Sequence, residues 1–264
     1  MHRRPLSARE RAAWFDTEGN LYVTPPSAPL KKSVAIYCIS QFDQAPLEDF
    51  KNGALADGVR CQLLRGFRGK SKECLAKIAD LESIAREIGL ELPFIRTARK
   101  LAQVKRFQEF ILRPRVLTRK SVEAARKLLC SQLDGCASSR RPMEAWERTI
   151  WFEAEGYLYV PSPNVSYKWG PVELRVSQFE RKPLDDFAEG ARHDGIDCRL
   201  GYRWRTKPGE YYVRIRRIDE VAKELVLESP YIRTAKRLEQ IQSFKEYLAR
   251  PRTRVTKSLG VARE

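Results

Sequence analysis

Arg11-Ala12-Ala13-Trp14-Phe15-Asp16-Thr17-Glu18-Gly19 returns further along the chain as Arg148-Thr149-Ile150-Trp151-Phe152-Glu153-Ala154-Glu155-Gly156, an offset of 137 residues (151 minus 14). The pair is the centre of a longer repetition. At the same offset Ser40-Gln41-Phe42 becomes Ser177-Gln178-Phe179, and Pro46-Leu47 becomes Pro183-Leu184. Asp57-Gly58 becomes Asp194-Gly195, Ile95-Arg96-Thr97-Ala98 becomes Ile232-Arg233-Thr234-Ala235, and Arg113-Pro114-Arg115 becomes Arg250-Pro251-Arg252. No gap is needed. Residues 3–127 map onto 140–264 with about 50 identical positions, far above chance for a gapless pairing. The chain divides into an N-terminal unit (1–127), a linker that turns small and polar (128–139, LLCSQLDGCASS) and a C-terminal unit (140–264). Two equal units in one chain usually pack about a pseudo-twofold axis. B-form DNA has the same local symmetry.

Composition narrows the function. The 264 residues include 50 Lys and Arg against 34 Asp and Glu, a net charge of +16. At 42% hydrophobic the chain can build a core, which excludes a wholly disordered basic tail. No stretch approaches the roughly 20 apolar residues of a membrane span. The N-terminal MHRRPLSARERAAWF lacks an uninterrupted apolar run and does not read as a signal peptide. The six cysteines (38, 61, 74, 130, 136, 198) form no CxxC pair, and two histidines are too few for a structural zinc site. The thiols read as reduced core residues of an intracellular protein. The positive surplus points to nucleic acid, whose phosphates are its commonest partner.

Each unit reads as an α+β pattern, αββαββα. Ser7-x-x-Glu10 is a capping box opening a helix over Ser7–Glu18. Gly19 and Gly156 stand where a left-handed C′ residue would close that helix. Short strands follow: Leu21-Tyr22-Val23, and the alternating Val172–Val176. Pro46 and Pro183 suit the first turn of a second helix. Two strands near 59–68 and 73–80, a short helix carrying Ile84 and Ile88, and a longer helix from about Phe94 to Leu112 complete the unit.

In the second unit Cys198, Leu200, Tyr202 and Trp204 alternate with Asp197, Arg199, Arg203 and Arg205. Tyr211, Val213 and Ile215 alternate with Tyr212, Arg214 and Arg216. One sheet face is therefore core and the other rich in arginine, with Arg175 on the preceding strand. The first unit has a weaker version in Arg60, Gln62, Arg68 and Lys77. Solvated faces normally mix signs. Five arginines on two neighbouring strands repel one another unless an anion lies across them, and a strand ribbon fits the DNA major groove.

Glu18 and Glu155 end their helices, at the negative pole of the macrodipole, where an acid is disfavoured. If the two helices pack side by side on the pseudo-twofold axis, these acids converge and repel. A hard divalent cation would relieve the repulsion, with oxygen ligands from the carboxylates and nearby carbonyls. Beneath an arginine-faced saddle, such a centre suits metal-assisted phosphodiester hydrolysis.

Here the residues carry a resemblance. RAAWFDTEG (11–19) and RTIWFEAEG (148–156) resemble the two LAGLIDADG motifs of a single-chain homing endonuclease. The likeness extends over both units, including Ser-Gln at 40–41 and 177–178, and LPFIRTARKLAQ (92–103) with its partner SPYIRTAKRLEQ (229–240). It implies two αββαββα units about a pseudo-twofold axis, motif helices at the interface, and antiparallel sheets forming a DNA-binding saddle. It implies an intron-encoded, site-specific nuclease that acts as a monomer on a long double-stranded DNA site, cutting each strand once. Glu18 and Glu155 would hold Mg²⁺ or Mn²⁺ with the backbone carbonyls of Thr17 and Ala154. Gln41 and Gln178 match the family's active-site glutamine. Arg99 and Lys236 match its basic residue, with Lys100 and Arg237 the neighbouring alternatives. The sequence departs from the family pattern in two ways. Ala13 and Ile150 replace the preferred glycine at the helix crossing, and Ile150 is expected to push the helices apart or offset their crossing. Arg11 and Arg148 replace a leucine, as a solvent-exposed or DNA-near helix start. The competing reading is a silent binder of the same fold, an intron-RNA maturase or a DNA-binding regulator; both retained glutamates favour the enzyme.

Overall fold

In the computed structural model the described residues are 4–25, 34–65, 73–112, 123–128, 141–161, 172–203 and 209–249. The linker lies outside them except for Leu128, as do Arg68 and Arg205. The first unit runs α1 (Ala8–Glu18), β1 (Gly19–Val23), β2 (Ala35–Gln41), α2 (Gln44–Ala56), β3 (Gln62–Arg65), β4 (Cys74–Ile78), α3 (Leu81–Glu91) and α4 (Ala98–Leu112). The second runs α5 (Ala145–Glu155), β5 (Gly156–Tyr159), β6 (Glu173–Gln178), α6 (Arg181–His193), β7 (Arg199–Arg203), β8 (Glu210–Ile215), α7 (Ile218–Glu228) and α8 (Ala235–Ala249). The final helix of the αββαββα pattern is thus a pair, divided by a 3₁₀ turn (Leu92–Phe94, Ser229–Tyr231). Each unit holds one antiparallel sheet, ordered β1-β2-β4-β3 and β5-β6-β8-β7. Among the described residues no helix is long and apolar enough to cross a membrane.

Local chemistry explains the start and end of the motif helices. Ser7 accepts the amide of Glu10, and the Glu10 carboxylate accepts the amide of Ser7, the reciprocal capping box expected. Gly19 and Gly156 are not left-handed: their φ values are −76° and −90°, and each passes directly into a strand. Glycine is needed there for room. A Cβ on Gly19 would lie 2.3 Å from Cδ2 of Phe15, and one on Gly156 2.4 Å from Cδ2 of Phe152. The chain therefore folds back over its own helix end with no space for a side chain.

Arg11 and Arg148 are not at an exposed helix start. Both are fully buried. Arg11 donates to Glu87 at 2.6 Å and to Asp57 at 2.8 Å; Arg148 repeats this with Glu224 at 2.6 Å and Asp194 at 2.8 Å. A third donor on each guanidinium reaches a backbone carbonyl, that of Leu6 or Met143, at 2.9 Å. Burial opposes the charge on Arg11, but the bonds to Glu87 and Asp57 outweigh it and raise its pKa. This fork ties α1 to α3 and to the end of α2, and in the second unit α5 to α7 and to the end of α6. The planar five-donor geometry that makes it possible belongs to arginine alone.

The units meet along α1 and α5. Ile150 does not force them apart. It is 2% exposed and belongs to the core of the first unit although it sits on a helix of the second. Around this helix pair the units exchange arginines. Arg96 of the first unit donates to Glu147 (3.0 Å), Asp186 (2.8 Å) and the carbonyl of Arg141 (2.9 Å) of the second. Arg233 of the second unit reaches Asp49, Glu10 and the carbonyl of Arg4 of the first. Three of the cysteines (61, 74, 198) are buried as expected, but Cys38 is half-buried on the outer sheet face; Cys130 and Cys136 lie outside the described residues.

Replacing Arg11 by Leu strands Glu87 as an uncompensated buried charge, and should destabilise the protein by about 3–5 kcal/mol in urea unfolding. Arg11→Leu with Glu87→Leu should recover most of that loss. A neutral single replacement would contradict the assignment.

Candidate nucleic-acid interface and acidic centre

Glu18 and Glu155 close the two packed helices and are half-buried. Burial, and next the charge of Glu155, push the Glu18 carboxyl up to about 7. Burial likewise raises Glu155, against the pull of Arg99 and a hydrogen bond from Gln178. The charge of Glu155 thus acts on Glu18, and burial disfavours a bare carboxylate at both positions.

Two residues earlier in each motif is a second acid that sequence reading passed over. Asp16 is buried and accepts the amides of Arg96 (2.7 Å) and Thr97 (3.2 Å) and the hydroxyl of Thr97 (2.8 Å). Glu153 accepts the amides of Arg233 and Thr234, both at 2.6 Å. Burial still holds Asp16 up at about 6 and raises Glu153. These acids fix the Ile-Arg-Thr segments whose arginines lock the units. The signal was present in the sequence, because Arg-Thr recurs in both units, but nothing local revealed its partners.

The basic positions resolve by burial. Arg99 and Lys236 are exposed, whereas Lys100 and Arg237 are buried. Lys100 donates from Nζ to the carbonyl of Gly19 and lies 5.1 Å from the centre of the Phe15 ring. Arg237 donates to the carbonyls of Gly156 (2.6 Å) and Glu153 (3.1 Å), with its guanidinium 4.8 Å from the Phe152 ring centre. These two residues take equivalent places at the motif ends. Burial and the charge of Arg99 lower Lys100 to about 8, partly offset by Asp16 and Glu18. Arg99 is not remote, since its charge acts on Glu155. Lys236 has no contact with either acid among the described residues.

Gln178 joins the centre, its Nε2 lying 3.5 Å from Oε1 of Glu155. The side-chain oxygens of Gln41 and Gln178 accept the amides of Phe42 (2.9 Å) and Phe179 (2.8 Å). Thr17 uses its hydroxyl on the carbonyls of Ala13 and Trp14. Ala154 is half-buried at the equivalent place.

The sheet faces opposite the cores are unequal. In the second unit Arg175 pairs in register with Arg214, and Arg214 with Arg199, so three guanidinium groups form a row across three strands. Beside them Tyr212 lies over Gly201, where a Cβ would meet its ring at 2.3 Å. Arg175 and Arg214 sit 5.0 and 5.7 Å from that ring's centre. Acids temper this face: Arg203 pairs with Glu210 at 2.9 Å, Arg216 with Glu173 at 2.8 Å, and Arg175 also meets Glu173. The arginine-rich face expected from the alternation is thus interrupted by two glutamates. In the first unit Gln62 pairs in register with Lys77, and Lys77 with Cys38, while Arg60 stands beyond the strand, paired with Asp80 at 3.1 Å. Arg68 and Arg205 lie outside the described residues.

No protein-family model and no curated protein sequence matches the chain. Solved structures do. The meganuclease I-AabMI bound to uncleaved DNA shares 14% identity at a TM-score of 0.64, over 91% of this chain and 90% of that one. A double lysine-to-alanine variant of I-SmaMI shares 13% identity at a TM-score of 0.63, over 92% and 91%. The homing endonuclease I-GzeII with its DNA target shares 16% at 0.53, over 92% and 89%. These likenesses span both units and the seam between them, and the chain therefore has the pseudo-dimeric LAGLIDADG meganuclease fold.

Proposed function

We propose that this chain is a site-specific double-strand DNA endonuclease, working as a monomer with Mg²⁺ or Mn²⁺. One observation carries the reading: two half-buried carboxylates, Glu18 and Glu155, stand at the ends of the paired helices, both raised by burial, with the charge of Glu155 raising Glu18 further. Two acids beside phosphate weaken binding unless a cation joins them. The residues fit a hard divalent ion. Mg²⁺ commonly takes one or two carboxylates and completes its shell with water and substrate phosphate. Glu18 and Glu155 would hold the ion, with the carbonyls of Thr17 and Ala154 alongside. When bound, it supplies charge neutralisation at the phosphodiester and a more acidic water.

The chain's own groups supply the rest. Lys100 and Arg237, fixed by carbonyls at the motif ends, place positive charge where phosphate charge would develop. Gln178, hydrogen-bonded to Glu155, holds that carboxylate and leaves its second oxygen free; Gln41 takes the equivalent position. The sheet faces position the duplex. The arginine row of the second unit suits guanine edges or phosphates, and the less basic face of the first suits fewer charged contacts. Neighbours of the same fold are described as DNA-bound, one of them in the presence of calcium ions, which supports the duplex as partner and a divalent ion at the centre. An intron-encoded role in an intracellular setting belongs to the same proposal.

A DNA site recovered by binding selection in Ca²⁺ should be cut on both strands when Mg²⁺ replaces it. Glu18→Gln and Glu155→Gln should each lower cleavage by at least about a hundredfold while binding persists. Tight binding with no cleavage in Mg²⁺ or Mn²⁺ would favour a silent binder.

Lys100→Met should cost about tenfold or more in cleavage rate at saturating enzyme, whereas Lys100→Arg, which copies the second unit, should retain most of it. Equal losses in the two variants would remove Lys100 from the centre.

A further inference from the structure

Phe42 and Phe179 are the most exposed aromatic side chains among the described residues, at 68% and 63%. They occupy equivalent positions of the two units, and neither is loosely held. The amide of Phe42 is bonded to the side chain of Gln41, and that of Phe179 to Gln178, whose other end reaches Glu155. The next residue is anchored on the opposite unit. The Glu180 carboxylate accepts the amides of Ala98 (2.6 Å) and Arg99 (3.0 Å), at the start of α4. The Asp43 carboxylate accepts the amide of Ala235 (2.7 Å), at the start of α8. Each phenyl ring therefore projects from a short segment held by the preceding glutamine and, across the seam, by the following acid; in the second unit that glutamine also reaches Glu155.

Exposed single aromatics are common and need no explanation. A recurrent, rigidly mounted pair flanking a phosphodiester centre is different. Leaving a Phe side chain in water forgoes the gain of burying it. The chain's net charge of +16 suits a polyanionic partner, and Phe179 follows the glutamine that bonds Glu155, so a duplex with a scissile phosphate at Glu155 would pass beside its ring; Phe42 holds the equivalent place in the first unit. We infer that Phe42 and Phe179 are wedges that insert against the base steps between the two cuts, unstacking them and bending the duplex so that both scissile phosphates reach the acids. Apolar wedges bend duplexes in this way when the protein gains contact from the bent shape. Flexible pyrimidine–purine steps distort most easily, so the wedges would also favour such steps at the centre of the site without any base contact.

This inference rests on the nuclease reading, and the test separates the two. The selected duplex is labelled with 2-aminopurine at each central position in turn and bound in Ca²⁺ by wild type, Phe42→Ala, Phe179→Ala and the double variant. Wild type should raise the fluorescence at one or two central steps, and the double variant should abolish that rise. Binding affinity should change by less than about threefold, while the cleavage rate at saturating enzyme in Mg²⁺ falls at least about tenfold. Phe42→Leu with Phe179→Leu should restore part of both signals. Unchanged fluorescence in the double variant, or a cleavage loss matched by an equal loss of affinity, overturns the wedges and leaves the nuclease intact. If wild type neither binds nor cuts any selected duplex, both readings fail together.

Discussion

The structure depends on a reciprocal exchange of arginines across the seam. Asp16 and Glu153 sit two residues before the terminal acids and hold the backbone of the Ile-Arg-Thr segments. That grip aims Arg96 at Glu147 and Asp186, and Arg233 at Asp49 and Glu10. Each unit therefore uses its own motif helix to present the side chain that binds the other unit. Burying such pairs costs desolvation, and close, multiply bonded geometry offsets that cost. What the pairs provide is position. Glu18 and Glu155 belong to the same two helices that the exchange fixes, so the relation of one acid to the other follows from it.

The same economy recurs around the centre. Glu180 and Asp43 cap helix starts on the opposite unit, using negative charge where the macrodipole favours it. The terminal acids stand at the unfavourable pole, where Lys100 acts on both and Arg99 on Glu155.

Much of this was legible in the sequence. The gapless repeat showed two units, the capping box showed where the motif helices start, and the strand periodicity assigned the outer faces. The acids at 18 and 155 stood out because both units place one at a pole that disfavours it. Other features depended on contacts far apart in the chain. Arg11 resembles an exposed helix start until Glu87, 76 residues on, is seen beside it. Gly19 resembles a left-handed cap, but close packing over Phe15 is the reason for the glycine. Ile150 looked like an obstacle because periodicity cannot say that the facing unit has room for it in its core. Lys100 and Arg99 are neighbours in sequence, and only the direction of α4 shows which of them turns inward.

The central claim is that Glu18 and Glu155 jointly hold a divalent cation at the seam between the units. Anomalous diffraction from a crystal of the protein–DNA complex grown with Mn²⁺ would test it most directly. Manganese signal is expected between the two carboxylates, and its loss from the complex of the variant carrying both Glu18→Gln and Glu155→Gln. Manganese bound elsewhere in an ordered complex, or bound unchanged by that variant, would contradict it.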